Sequence, residues 1–256
     1  MFLKYRLSKA IKTGLVSMAL MYSSIAHAAG ADASNPTAAV NFQDVRYRYY
    51  DVEPSATSHS FELKGSYVFA PNFKLTHEIH GVRTDQSGEY ESDLEILKLK
   101  GIHLSPTKIF GIKSKIAIGA EWLKDLGDLD KGIGTGTDQI APLIGIGWSL
   151  DKRNLVITLV QYFHSYEEDS GVDKVRTTGP RLIYIRKMPE IRGWTKLDYK
   201  GSIDHEHNDY TDTLEVQVGT MFSKAIGAYA EVLLGNEALN SPAFNWGAGI
   251  GLRFMY

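Results

Sequence analysis

Phe244-Asn245-Trp246-Gly247-Ala248-Gly249-Ile250-Gly251-Leu252-Arg253-Phe254-Met255-Tyr256 separates by parity into two lists. Phe244, Trp246, Ala248, Ile250, Leu252, Phe254 and Tyr256 fall in one, and Asn245, Gly247, Gly249, Gly251, Arg253 and Met255 in the other. A strand alternates its side chains between two faces, so this stretch presents one apolar face with aromatic residues towards both ends and one small or polar face. That is the pattern of a strand whose outer face meets lipid.

The opposite end of the sequence carries an export pattern. Lys4, Arg6, Lys9 and Lys12 form a basic segment, residues 14–22 an apolar one, and Ala26-His27-Ala28 a small-x-small site. This predicts a signal peptide over residues 1–28, removed before Ala29. The apolar run is too short to cross a bilayer, and no other window approaches the ~18 apolar residues a membrane helix needs. An exported chain of this kind is soluble or crosses a membrane as strands. Residues 29–39, rich in Gly, Ala, Ser, Asn and Pro, read as a flexible leader. Residues 40–256 then form a single domain.

Removing four basic residues from 28 leaves 24 against 30 acidic residues, a net charge near −6. With no basic patch standing out, this balance argues against nucleic acid as a partner. The absence of cysteine excludes disulfides, thiolate ligands and a cysteine nucleophile.

Parity and turn residues divide the rest into about twelve strands, at 40–50, 59–69, 73–83, 93–103, 110–122, 139–149, 155–165, 175–186, 194–202, 212–222, 226–235 and 244–256. Connections after even-numbered strands are mostly short, at 70–72, 105–107, 151–154, 187–193 and 223–225. Those after odd-numbered strands are generally longer and acidic, at 84–92, 123–138, 166–174, 203–211 and 236–243. Short periplasmic turns alternating with longer external loops predict an all-β fold, an antiparallel transmembrane β-barrel of the bacterial outer membrane. A soluble antiparallel sandwich also alternates, but here the aromatic residues gather at strand ends, as an interfacial girdle requires.

The outward stripes are Val45, Tyr47 and Tyr49; Phe61, Leu63, Tyr67 and Phe69; Ile112, Ile116, Ile118 and Trp122; Ile140, Ile144, Ile146 and Trp148; Leu155, Ile157 and Leu159; and Leu214, Val216 and Val218. Leu94 and Ile96 share parity with Lys98 and Lys100, which a bulge near Ile96 would reconcile. The opposite parity gives the candidate lumen lining. Its cations are Arg46, Arg48, Lys64, Lys74, Lys98, Lys100, Lys113, Lys115, Arg181, Lys196, Lys200 and Arg253, and its anions Glu62, Glu78, Glu121, Asp198, Glu215 and Glu231, with Gln217 beside them. An excess of one sign in a confined pore sets ion preference, here for anions, unless the charges pair across a closed interior. Inward glycines at 119, 145, 147, 219, 247, 249 and 251 either leave a smooth bay for a ligand or make room for long side chains from the facing wall.

Other chemistry is sparse. Asp204-His205-Glu206-His207-Asn208-Asp209 combines imidazoles with carboxylates that are competent for a divalent cation, but without the spacing of a defined site. His164-Ser165 and His59-Ser60 point to opposite faces of their strands, which defeats a hydrolytic pair. His103 and Ser105 share a face but fall at a predicted periplasmic turn. Residues 132–137, Gly-Ile-Gly-Thr-Gly-Thr, lack the ending of a phosphate loop. No catalytic, cofactor or metal constellation is expected.

Two stretches carry a family resemblance. Asn35-Pro36-Thr37-Ala38 leading to Phe42-Gln43 is the first; Gly136-Thr137-Asp138-Gln139-Ile140-Ala141-Pro142 followed by Leu159-Val160-Gln161-Tyr162-Phe163-His164-Ser165-Tyr166 is the second. Together with Arg181-Leu182-Ile183-Tyr184 and Glu215-Val216-Gln217-Val218-Gly219, they resemble outer-membrane transporters of the MetA-pathway of phenol degradation type. The resemblance implies an outer-membrane barrel that moves small, often aromatic or hydrophobic, molecules; the charged lumen list departs from an oily channel. Three functions are compatible with the sequence: a passive channel or uptake protein for small anionic or aromatic solutes, a structural or surface-interaction barrel with a closed interior, and, least supported, a lipid-modifying enzyme. The expected partners are outer-membrane lipid, lipopolysaccharide and a small solute. Neither the solute nor the oligomeric state is specified.

Overall fold

The computed structural model describes residues 33–52, 55–235 and 244–256. The predicted signal peptide and the connection at 236–243 lie outside the described residues. Twelve strands follow in order: β1 Phe42–Val52, β2 Ala56–Ala70, β3 Phe73–Thr84, β4 Glu91–Ile109, β5 Ile112–Asp125, β6 Thr137–Ser149, β7 Asn154–Glu168, β8 Arg176–Met188, β9 Gly193–Asp204, β10 Asp209–Met221, β11 Ile226–Gly235 and β12 Phe244–Met255. Each pairs antiparallel with its sequence neighbours, and β1 pairs with β12, so the sheet closes into a barrel. Closure leaves the sheet without an edge strand.

The parity of β12 decides its faces. Ile250 is 64% exposed and Trp246 46%, whereas Arg253 is 3%. The same inversion of a soluble protein holds on β2, where Phe61 is exposed and Glu62 buried, and on β6, where Ile140 and Ile144 are exposed. Apolar side chains cover the outside, and much of the charge lies within.

The bulge expected near Ile96 is present. The β3–β4 register passes from His80↔Ile96 to Gly81↔Leu94, leaving Glu95 unmatched. One extra residue shifts the phase, so Leu94 is exposed while Ile96 is buried.

Two expectations are corrected in detail. Ser105-Pro106-Thr107 is not a turn: β4 runs on to Ile109, and the reversal lies at Phe110-Gly111, both at positive φ. Beyond His103 strand β4 pairs only with β5, so Pro106 needs no amide hydrogen on its other edge. The phase of β7 is also reversed. Leu155 and Ile157 face inward and pack with Ile183 and Ile185 of β8, while Val156 and Val160 lie on the opposite face. Both faces of that strand are aliphatic at this end, so period two alone does not choose between them.

The end at which β1 begins and β12 finishes is termed here the terminal end, and the other the loop end. Residues 33–39, expected as part of a loose leader, fold against the inside of the terminal end: Ala33, Thr37 and Ala38 are buried. Ala33 and Ala38 cluster with Val40 and Phe42, and Ala39 packs on Ile102, Leu104 and Ala117.

Candidate functional site

Arg46 and Arg48 of β1 form the hub of the interior. Arg46 pairs with Glu62 of β2 and lies 3.7 Å from Glu78 of β3 and 3.8 Å from Glu231 of β11. Arg48 donates to Glu231 at 2.5 Å and to Glu215 of β10 at 2.9 Å, and stands 3.5 Å from Glu62. Gln217 donates to Glu231 at 3.1 Å. Lys64 bonds Glu78 at 2.9 Å, and His80 bridges Glu78 and Glu95 at 2.8 and 3.2 Å.

Glycines make these reaches possible. A Cβ on Gly249 of β12 would lie 2.9 Å from both Arg48 Cγ and Glu231 Oε1. A Cβ on Gly251 would strike the Tyr229 ring, and one on Gly219 the indole of Trp194. Of the two readings of the inward glycines, these three positions fit the one that makes room for long side chains.

A second group joins β8, β9 and β10. Arg181 makes a forked contact to Asp198 at 2.7 and 2.5 Å, Lys196 bonds Asp198 at 3.3 Å and also pairs with Glu215, and Lys200 reaches Glu215 at 3.3 Å. A third joins Lys100 to Glu121 at 2.9 Å, with Gln161 donating to the same carboxylate at 2.7 Å. Lys98 stands opposite Glu78 in the β3–β4 register.

At the terminal end, Arg253 grips Asp44 with two hydrogen bonds of 2.9 and 2.6 Å and lies over the rings of Phe42, Trp194 and Tyr229. Two further cations there meet backbone carbonyls: Lys115 donates to the carbonyl of Thr37 at 3.0 Å and Lys74 to that of Ala38 at 3.1 Å. A cavity of about 350 Å³ lies beside this segment, bordered by Lys115, Gly147 and Lys187.

All twelve candidate cations share the inner parity of their strands, and eleven of them line the interior. Lys113 does not join them; it is exposed beside the β4–β5 turn. Asp44, absent from the candidate list, is buried at 2% exposure and shares the parity of Arg46 and Arg48, the signal that would have found it. With Asp44 the set holds eleven cations against seven anions. Tyr50, His80, Trp194 and Tyr229 also belong to the inner wall, each two residues from a charged inner residue on its own strand.

The other candidates are placed as follows. His207 bonds Asp204 at 2.8 Å and lies 3.4 Å from Asp173, while Glu206 pairs with Arg176 at 3.1 Å. Ser60 and Ser165 are buried inside, whereas His59 packs against Tyr47 and Tyr49 on the outer face. Glu62, Glu78 and His80 offer atoms close enough to share a cation, but Arg46 and Lys64 already bond those carboxylates.

No protein-family model matches the chain, and no curated protein matches its sequence. The phenol-degradation resemblance therefore has no family match behind it. Solved structures do share the fold. The KdgM porin aligns with a TM-score of 0.59 at 12% identity, covering 84% of this chain and 99% of that one. The same protein solved in complex with disordered oligogalacturonate aligns equally well. The NanC porin gives a TM-score of 0.62 at 11% identity, covering 84% and 100%. The chain is similar in architecture to these porins.

Proposed function

We propose that the chain is a bacterial outer-membrane barrel that passes small solutes passively and prefers anions. The exposed aliphatic wall supports the membrane setting, because apolar side chains facing outward around a closed barrel need lipid against them. Aromatic contacts gather towards both rims: Tyr49 with Trp246 and Trp122 with Tyr166 at the loop end, Tyr67 with Tyr256 at the terminal end. Both chain termini, at the terminal end, then face the periplasm, and the longer loops and lipopolysaccharide lie outside.

The observation that carries the anion preference is the inner wall's excess of cations, in a chain whose predicted mature form is acidic. A confined cationic wall attracts anions and repels cations over its whole length. A carboxylated sugar fits it better than an oily aromatic, since Lys and Arg bond carboxylates directly. The oligogalacturonate bound by the KdgM porin is a carboxylated solute of this kind. The resemblance to phenol-degradation transporters favours an aromatic solute instead, and inward apolar clusters such as Leu155, Ile157, Ile183 and Ile185, or Ile96, Leu123 and Ala141, would give it wall between the charged groups.

A second reading, a closed structural barrel, is favoured by two features: residues 33–39 occupy the terminal end, and Arg46, Arg48, Arg181, Lys196 and Lys100 are paired with carboxylates inside the barrel. Planar bilayers separate the two. Purified protein in a KCl gradient is expected to conduct with a reversal potential on the chloride side of zero. Cation selectivity overturns the anion preference, and no conductance under any condition overturns the channel.

A further inference from the structure

Resting on the channel reading, we propose that residues 33–39 are a displaceable plug of the periplasmic mouth. Its Thr37 and Ala38 carbonyls hold the lysine pair, Lys115 and Lys74, that a carboxylate-bearing solute engages when it passes.

The segment spans the bore. Ser34 donates to Gln217 of β10 at 3.1 Å and accepts from Arg253 of β12 at 2.8 Å. Three residues later, Thr37 meets Lys115 of β5 and packs over Gly147 of β6, while Ala38 meets Lys74 of β3. In a ring of twelve, β6 and β12 are opposite one another. The contacts therefore tie facing walls together across the lumen.

The piece is also preformed. Asn35-Pro36-Thr37-Ala38 makes a turn closed by the Ala38 amide donating to the Asn35 carbonyl at 3.0 Å, and the Asn35 side chain accepts from the Thr37 amide at 2.8 Å. Proline at the second position fixes that turn's φ. Such a unit can leave the wall and return without refolding.

What holds it is weak. The buried apolar groups are mostly alanines, which bury little area, and the lysines meet neutral carbonyls. A carboxylate brings the ammonium a full opposite charge where a backbone carbonyl brings only a dipole, and so binds it more strongly. An anionic solute arriving from the lumen therefore competes for Lys74 and Lys115, and the neighbouring cavity, with Lys115 and Lys187 on its border, gives it a place to enter. A neutral sugar has no such advantage.

The chain contains no cysteine, so a disulfide can be installed cleanly. A Cβ on Gly147 would lie 3.4 Å from Thr37 Cβ, near the ~3.5–4.5 Å span of a disulfide. Thr37→Cys/Gly147→Cys, Gly147→Cys alone and a deletion of residues 33–39 are compared in bilayers, after gel mobility with and without heating shows that each forms a barrel. Locked oxidised protein is expected to lose nearly all current, with severalfold recovery on reduction and a constitutively open deletion variant. In the unmodified protein, galacturonate is expected to raise the open fraction where galactose does not. Equal current in the oxidised, reduced and deleted forms overturns the plug and leaves the channel standing. An equal response to galacturonate and galactose overturns the competition for the lysines. No current in any form, deletion included, overturns the channel reading itself.

Discussion

Arg48 and Glu231 are 183 positions apart in the sequence, yet the arginine Nε donates to the carboxylate at 2.5 Å across the strand that separates them. The bond passes over Gly249, whose missing side chain leaves the groove it needs. Gly249→Ala places a methyl 2.9 Å from atoms of both partners, and one of them must move. Overpacking of this kind costs about 1–3 kcal/mol. The temperature at which the barrel unfolds in detergent should fall accordingly. Gly81→Ala, whose added methyl meets nothing nearer than 4.0 Å, should leave it unchanged.

The tip of the β4–β5 hairpin offers the opposite result. Phe110 sits at φ 52 and is 98% exposed, so it accepts a left-handed backbone without any packing in return. A two-residue turn with both φ values positive prefers Asn-Gly. Phe110→Asn should therefore raise stability by about 1 kcal/mol, the order of the left-handed penalty it relieves. Gly111→Val, at φ 80, should lower it. A Phe110→Asn variant less stable than the parent would show that the phenylalanine has a contact partner outside the chain.

The parts of this fold that parity can reach are legible in the sequence. β12 carries a strict alternation of small and apolar residues, and the Leu94–Lys98 clash of phase by itself marks a bulge. Parity fails where both faces have the same chemistry: at Leu155-Val156-Ile157 every residue is aliphatic, and only packing against Ile183 and Ile185 fixes which side is in. Local turn chemistry misleads at Pro106, because whether a proline ends a strand depends on whether its edge is paired. The charged interior follows from the same period of two, but its pairing does not. Nothing local connects Arg48 to Glu215, or Arg181 to Asp198. Residues 33–39 were the least legible. Their composition is that of a linker, and what orders them is a set of contacts to strands 36 to 219 positions away.

The tie between the β7–β8 and β9–β10 connections is pH-dependent. The His207 pKa is raised above its ordinary 6.5, first by the hydrogen bond with Asp204, then by that carboxylate's charge, with Asp173 adding to it. A raised histidine pKa contributes stability that is fully present below the ordinary value and is lost as pH rises through the folded one. The His207–Asp173 contact should thus loosen above neutrality rather than in acid. An NMR titration of the His207 ring should give a midpoint above 6.5 that drops in Asp204→Asn. An unchanged midpoint in that variant would remove the carboxylate as the cause.

The sign of the interior can be moved in both directions by single neutral substitutions that create no new buried charge. Lys98 faces Glu78 across the β3–β4 ladder, and Lys98→Gln takes one cation from a wall that holds more of them than anions. Glu121→Gln removes an anion and leaves Lys100 with the Gln161 side chain and the new amide near it. If the wall sets selectivity, Lys98→Gln should shift the bilayer reversal potential towards zero, and Glu121→Gln should shift it further to the chloride side. Both effects should shrink as salt rises, because the Debye length falls from about 10 Å at 0.1 M to about 3 Å at 1 M. Shifts of the same sign from the two variants would mean that pore shape, altered by either substitution, outweighs the charge of the wall.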